Sequence, residues 1–231
     1  MRNILIVGAS SGIGRQLASQ LSSTDYHVFG TYNEHPHSDD AHITYHHLNV
    51  LEEGLDLSFL PDRLDGLVYC PGSINLKPFH KIKPQQFLDD VNLQVVGAIK
   101  VIQSVQGLLK KGTHPSIVLF STVAVSNGFN FHSQVAVSKG AIEGLTRSLA
   151  AEFAPSIRVN AIAPSLTNTP LAARLINSEQ KIEANAARHP LARIGETTDI
   201  ANTVEFLISE KSTWITGQIL HVDGGMSSIK L

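Results

Sequence analysis

Ile4-Leu5-Ile6-Val7-Gly8-Ala9-Ser10-Ser11-Gly12-Ile13-Gly14 decides the reading of this chain. Four consecutive apolar residues suit a strand buried on both faces, and the glycines follow without a gap. Gly8 permits a tight turn out of the strand, and Gly12 leaves no side chain where an anion must approach the backbone. Gly14 lets the next helix pack closely. That helix reads from Gly12 to about Leu21, with Ile13, Leu17, Ala18 and Leu21 on one face. Its unpaired N–H groups and positive dipole end favour a phosphate, beside the hydroxyls of Ser10 and Ser11. The spacing is Gly-x-x-x-Gly-x-Gly, not the commoner Gly-x-Gly-x-x-Gly, and a glycine loop by itself can equally be a structural turn.

Working outward, strand-like and helix-like segments alternate. Strands are expected at 27–32, 43–48, 66–70, 117–120, 158–164 and 218–222. Helices are expected from Pro84 to about Lys111, from Ser133 to Phe153, and from the capping run Thr197-Thr198-Asp199 to Ile208. This order implies an α/β fold: one doubly wound, Rossmann-type, seven-stranded parallel sheet flanked by helices. A single domain, 1–231, is expected, without repeat or linker. Residues 165–190 form a long connection with its own amphipathic piece (Leu171, Leu175, Ile176, Ile182). It reads as a lid-like insertion or as a peripheral helix.

Composition narrows the function. Eighteen basic and 20 acidic residues give a net charge of −2 with no basic block, so nucleic acid is not expected as the partner. The single cysteine, Cys70, excludes an internal disulfide framework and suits a reducing cytosol. No apolar run reaches membrane-spanning length, and the N-terminal apolar stretch runs straight into the glycine loop, unlike a secretory signal. A soluble cytoplasmic protein without membrane contact is the expectation. Residues 33–47 hold five histidines, but their spacing matches no compact zinc site, so no metal is expected.

In a dinucleotide fold the end of the second strand meets the adenosine ribose, and an acid there favours a free 2′-hydroxyl. Tyr32 and Asn33 provide none, and Glu34 comes late, which leans toward NADP(H) over NAD(H). Asn49, ending the third strand next to Val50, could hydrogen-bond the adenine edge or be an ordinary strand-end residue. Pro71-Gly72 turns the fourth strand. Asn92 interrupts an apolar periodic run, where a buried polar side chain needs partners.

These features, together with Val159-Asn160-Ala161-Ile162-Ala163-Pro164, Pro190-Leu191-Ala192-Arg193-Ile194-Gly195, Ile215-Thr216-Gly217 and Val222-Asp223-Gly224-Gly225, resemble the short-chain dehydrogenase/reductase family over nearly the whole chain. The flavour is nearest to 3-oxoacyl-carrier-protein reductases. The resemblance implies a nicotinamide cofactor across the carboxyl ends of the strands. Its contacts would be Gly8, Ser10, Ser11, Gly12, Ile13, Gly14, Tyr32, Asn33, Asn49, Val50, Gly72, Lys139, Pro164 and Thr169. It also implies a homodimer or homotetramer through the two long helices, and hydride transfer to a carbonyl or enoyl group of a small, partly apolar substrate.

The family's lysine falls on Lys139 and its asparagine on Asn92, while Thr122 stands for the serine that polarises the carbonyl. The proton-donating tyrosine falls on Val135, which can donate nothing. All four tyrosines (Tyr26, Tyr32, Tyr45 and Tyr69) lie in the first third of the chain. His132 lies seven residues before Lys139, where enoyl reductases of the same broad family carry their tyrosine, and histidine can serve as the acid. It can equally be a loop histidine. Three readings follow: an oxidoreductase with a substitute acid, a non-catalytic dinucleotide-binding sensor or inactive subunit, and slow reduction with solvent as proton source. Tyr69-Cys70-Pro71-Gly72 and Ser165 are further departures from the family pattern.

Overall fold

The computed structural model describes residues 1–23 and 25–230. Seven parallel strands form one sheet: β1 (Arg2–Val7), β2 (Tyr26–Tyr32), β3 (Ile43–His47), β4 (Gly66–Tyr69), β5 (Ser116–Phe120), β6 (Arg158–Pro164) and β7 (Ile219–Val222). Their spatial order is β3-β2-β1-β4-β5-β6-β7. The order reverses between β1 and β4, so a crevice opens there beyond the carboxyl ends of the strands, where ligands of such sheets bind.

Side chains alternate along each strand, and this sorts the core into two layers. Leu5, Val7, Leu67, Ile117, Leu119 and Val159 point to one face. They pack under α3 (Gly97–Leu109) and α4 (Ser133–Phe153) through Val101, Val105, Leu109 and Ile142. Ile4, Ile6, Val28, Val68, Val118 and Ile162 point to the other face. There α1 (Gly12–Leu21) and α6 (Thr197–Ile208) cover them with Leu17, Leu21, Val204 and Leu207.

Local differences from the sequence reading have physical causes. The helix expected from Pro84 to Lys111 is divided into α2 (Pro84–Val91), a π-helical turn (Asn92–Val96) and α3. The wide turn is held from the sheet: the buried Tyr69 hydroxyl donates to the Leu93 carbonyl at 2.6 Å. A Cβ on Gly97 would collide with that hydroxyl, which explains the glycine. Burial raises the Tyr69 phenol well above its ordinary range. Glu196, not the Thr197 run, occupies the cap of α6, where its N–H donates to Asp199 at 2.7 Å. Residues 165–190 carry a 3₁₀ turn (Pro170–Leu175) and α5 (Glu179–Ala186), capped by the hydroxyls of Thr169 and Ser178.

Three of the five histidines of 33–47 meet aromatic rings: His46 stacks on Phe59 at 3.9 Å, His47 meets Tyr32 edge-on, and His37 lies against Tyr45. Among the described residues, no three His, Cys, Asp or Glu side chains gather as a metal site, and no helix is long and apolar enough to cross a membrane.

Candidate functional site

The crevice holds a cavity of about 300 Å³. One end is built by the glycine loop. Gly8 and Gly12 adopt φ of 80° and 53°, conformations that side chains disfavour. A Cβ on Gly14 would run into the Gly8 carbonyl oxygen, so its closest approach is to the loop rather than to the sheet. Thr31 Oγ1 accepts from Gly8 N–H at 3.2 Å and pins the turn to β2. Ser11 is the N-cap of α1, yet its side chain caps nothing, so its hydroxyl stays available to a ligand at the helix terminus. Thr169 lies across from Gly12, 3.6 Å from where a Cβ would sit. Free donors, a helix N-terminus and a groove without side chains fit a dinucleotide pyrophosphate.

The centre is built by β5, α4 and the π turn. Thr122, Lys139, Val135, Gly72, Pro164 and His132 all line the cavity. Thr122 Oγ1 accepts from Ala124 N–H at 3.3 Å, which leaves its O–H free to donate. Ser121, its neighbour, is committed to Glu143 at 2.8 Å. Val135 is buried against the cavity and offers no donor. Burial pulls the Lys139 ammonium down to about 8, against the opposing influence of Asp90. Burial also pushes the neighbouring Cys70 thiol up to about 12, so it stays protonated and unreactive.

Behind Lys139 lies a buried polar network. Asp90 accepts from Ser73, Ser138 and Gln94. Gln94 Oε1 is buried with no partner. A Cβ on Gly72 would lie 3.4 Å from that oxygen and 3.8 Å from Lys139 Nζ, so a glycine keeps this space open. The sequence reading put Asn92 here as the buried polar residue. It is exposed, and Gln94 takes the inward position. The signal was present: Asp90 and Gln94 are four residues apart and continue into the buried line Ala98, Val101 and Val105, with which Asn92 is out of phase.

His132 stands at the N-cap of α4. Its Nδ1 donates to the Asn130 carbonyl at 2.7 Å, which turns Nε2 away as the free ring nitrogen. Opposite, residues 165–190 close the cavity with Leu171, Ala172, Leu175, Arg188 and His189. His189 is buried. Its Nδ1 donates to the Asn185 carbonyl and its Nε2 accepts from Ser165 Oγ, both at 2.8 Å. Local sequence gives no hint of this pair, whose members are 24 residues apart.

The remaining expected contacts lie on the β2–β3 side. Tyr32 is half-buried and Asn33 exposed at the end of β2. Asn49 Oδ1 accepts from Leu51 N–H at 3.1 Å in a local turn, and its amide nitrogen is left as a donor for a ligand. Val50 is buried in the core, packed toward Gly97. Ser10 and Ile13 flank the loop, and Ile13 lines the cavity.

Residues 55–227 match the family model described as enoyl-(acyl carrier protein) reductase. The 3-oxoacyl-[acyl-carrier-protein] reductase FabG of Staphylococcus aureus is 30% identical over 97% of this chain and 98% of its own length. A short-chain type dehydrogenase/reductase from Mycobacterium ulcerans superposes with a TM-score of 0.88 at 28% identity, covering 98% of this chain and 90% of its own. ElxO with NADP bound gives a TM-score of 0.88 at 28% identity, covering 99% of both chains.

Proposed function

The chain belongs to the short-chain dehydrogenase/reductase family, and from that premise we propose that it is an NADP(H)-preferring oxidoreductase that reduces a carbonyl group without the usual tyrosine. The observation that carries the reading is one cavity lined by Ile13 of α1, Thr122, Lys139 and Thr169, with His132 at its rim. The preference for NADP(H) over NAD(H) is supported by the absence of an acid at Tyr32 and Asn33, and by the NADP held by ElxO.

A bound nicotinamide supplies the hydride. The Lys139 ammonium, buried and reaching the cavity beside Gly72, donates to ribose hydroxyls and fixes the orientation of the ring. Thr122, with its acceptor side taken by Ala124 N–H, donates its O–H to the substrate oxygen and polarises the carbonyl. His132 supplies the proton. Because Nδ1–H is committed to Asn130, donation from Nε2 requires the imidazolium; after transfer the neutral ring is reprotonated by solvent at the rim. Residues 165–190 act as a lid that excludes water, and Asn92 plays no direct part, its place being taken by Gln94. A homodimer or homotetramer across α3 and α4 belongs to the same reading; light scattering in solution measures it.

The test is NADPH oxidation with a panel of carbonyl and enoyl compounds, in the native chain and in His132→Ala. Turnover with the native chain and a fall of roughly two to four orders of magnitude in the variant are expected, with NADPH affinity retained. Undiminished turnover in the variant refutes the role of His132. Tight NADPH binding without oxidation across the panel favours the non-catalytic sensor reading, to which Val135 is the pointer.

A further inference from the structure

The cavity wall is selective in charge. The cations Lys139 and Arg188 line it, and among the described residues no Asp or Glu does. Of the carboxylates on the surrounding elements, Glu179 and Glu183 of α5 are exposed and lie outside the cavity lining, and three others have partners of their own. Asp90 is held by Ser73, Ser138 and Gln94, and Glu143 by Ser121 and Arg147. Asp223 accepts from the N–H groups of Gly225 and Ser227. Arg188 is different: among the described residues no carboxylate lies within ion-pair distance of it.

Two contacts hold its side chain. The guanidinium lies over the Phe129 ring, 5.3 Å from the centroid, and Nη1 reaches Asn185 Oδ1 at 3.5 Å. The ring contact uses none of the N–H groups, so the donors other than the one given to Asn185 remain for a ligand, and a guanidinium can grip a carboxylate with two parallel hydrogen bonds. The ring that carries Arg188 also contacts His132, at 5.4 Å between centroids, so the cation and the proposed proton donor share one support. The Phe129 ring and the Asn185 bond restrain a side chain that is otherwise exposed, which lowers the entropic cost of binding. Arg188 enters from the lid side. The glycine loop, with its own donors for a pyrophosphate, faces Thr169 and Pro170 instead.

Resting on the oxidoreductase reading above, we propose that the substrate is an oxo acid, and that Arg188 holds its carboxylate while the carbonyl lies at Thr122. The apolar residues Leu171, Leu175 and Phe129 cover the carbon chain between the two ends. Neutral sugars, polyols and cationic ketones are then poor substrates.

The probes are a 3-oxo acid, its methyl ester and a matched ketone carrying a trimethylammonium group, each with NADPH. The expected order of kcat/KM is acid, ester, ammonium, with the acid about 10- to 100-fold above the ester, the range for a hydrogen bond to a charged group. Arg188→Gln brings the acid-to-ester ratio close to one, and Arg188→Lys, a point charge without the fork, restores part of it. An ester used as well as the acid overturns the proposal, as does an Arg188→Gln that slows acid and ester equally. If nothing is turned over, calorimetry on the NADPH-bound protein separates the two ideas. An oxo acid that binds, and binds less in Arg188→Gln, keeps the anion site while the redox reading fails; equal binding of acid and ester removes the site as well.

Discussion

Replacing Lys139 by methionine should make the protein more stable and useless. The ammonium sits in the wall of the cavity with its ordinary value of 10.5 drawn down to about 8 by burial. At roughly 1.4 kcal/mol per tenfold shift, holding the charge in the folded chain at neutral pH costs on the order of 3 kcal/mol. Methionine has similar length, fills the same channel and carries no charge. Lys139→Met is therefore expected to gain about 2–3 kcal/mol, or about 5–10 °C in Tm for a chain of this size. The pH dependence identifies the cause. The folded value lies below the unfolded one, so between about 8 and 10.5 the unfolded chain binds more protons and native stability rises with pH. The advantage of the variant should shrink to about 1 kcal/mol near about pH 10. Urea and thermal denaturation of both proteins at the two pH values measure this, and NADPH titration of the variant should show lost affinity. A variant that melts at or below the native chain at neutral pH, or whose gain ignores pH, refutes the argument.

NADPH affinity of the native chain should weaken as pH rises through about 8, because the ligand needs the charged Lys139 donor; calorimetry across that range checks it, and a flat profile contradicts it. Tyr69→Phe leaves the Leu93 carbonyl without its donor and should cost about 1–3 kcal/mol in urea denaturation, with NADPH binding weakened by disorder of the π turn. Val135→Tyr places a phenol in the cavity wall and should raise carbonyl reduction; an unchanged rate means that the geometry around the site has diverged along with the residue.

The seven-stranded parallel sheet and the glycine loop were legible because their causes are local, whereas the spatial order of the strands came from the structure. Apolar runs of four to seven residues make buried strands, and the φ of Gly8 and Gly12 is a property of those residues and their neighbours. Lys139, Thr122 and His132 were named by resemblance to the family, and the structure brings all three to one cavity. Spacing failed at Asn92. Over Pro84–Leu109 the apolar residues suggest one helix, yet the hydroxyl of Tyr69, a residue on another element, holds a π turn open and accompanies the inward placement of Gln94.

What the chain by itself determined was a parallel sheet with a glycine loop at its carboxyl edge, and a valine at position 135. Only the tertiary structure decided what surrounds that valine. The depressed ammonium of Lys139, the Ser165–His189 pair and the seating of Arg188 over Phe129 each depend on side chains far apart in sequence. Burial and hydrogen-bond partnership are properties of space, and no periodicity along the chain encodes which distant groups will remove the water.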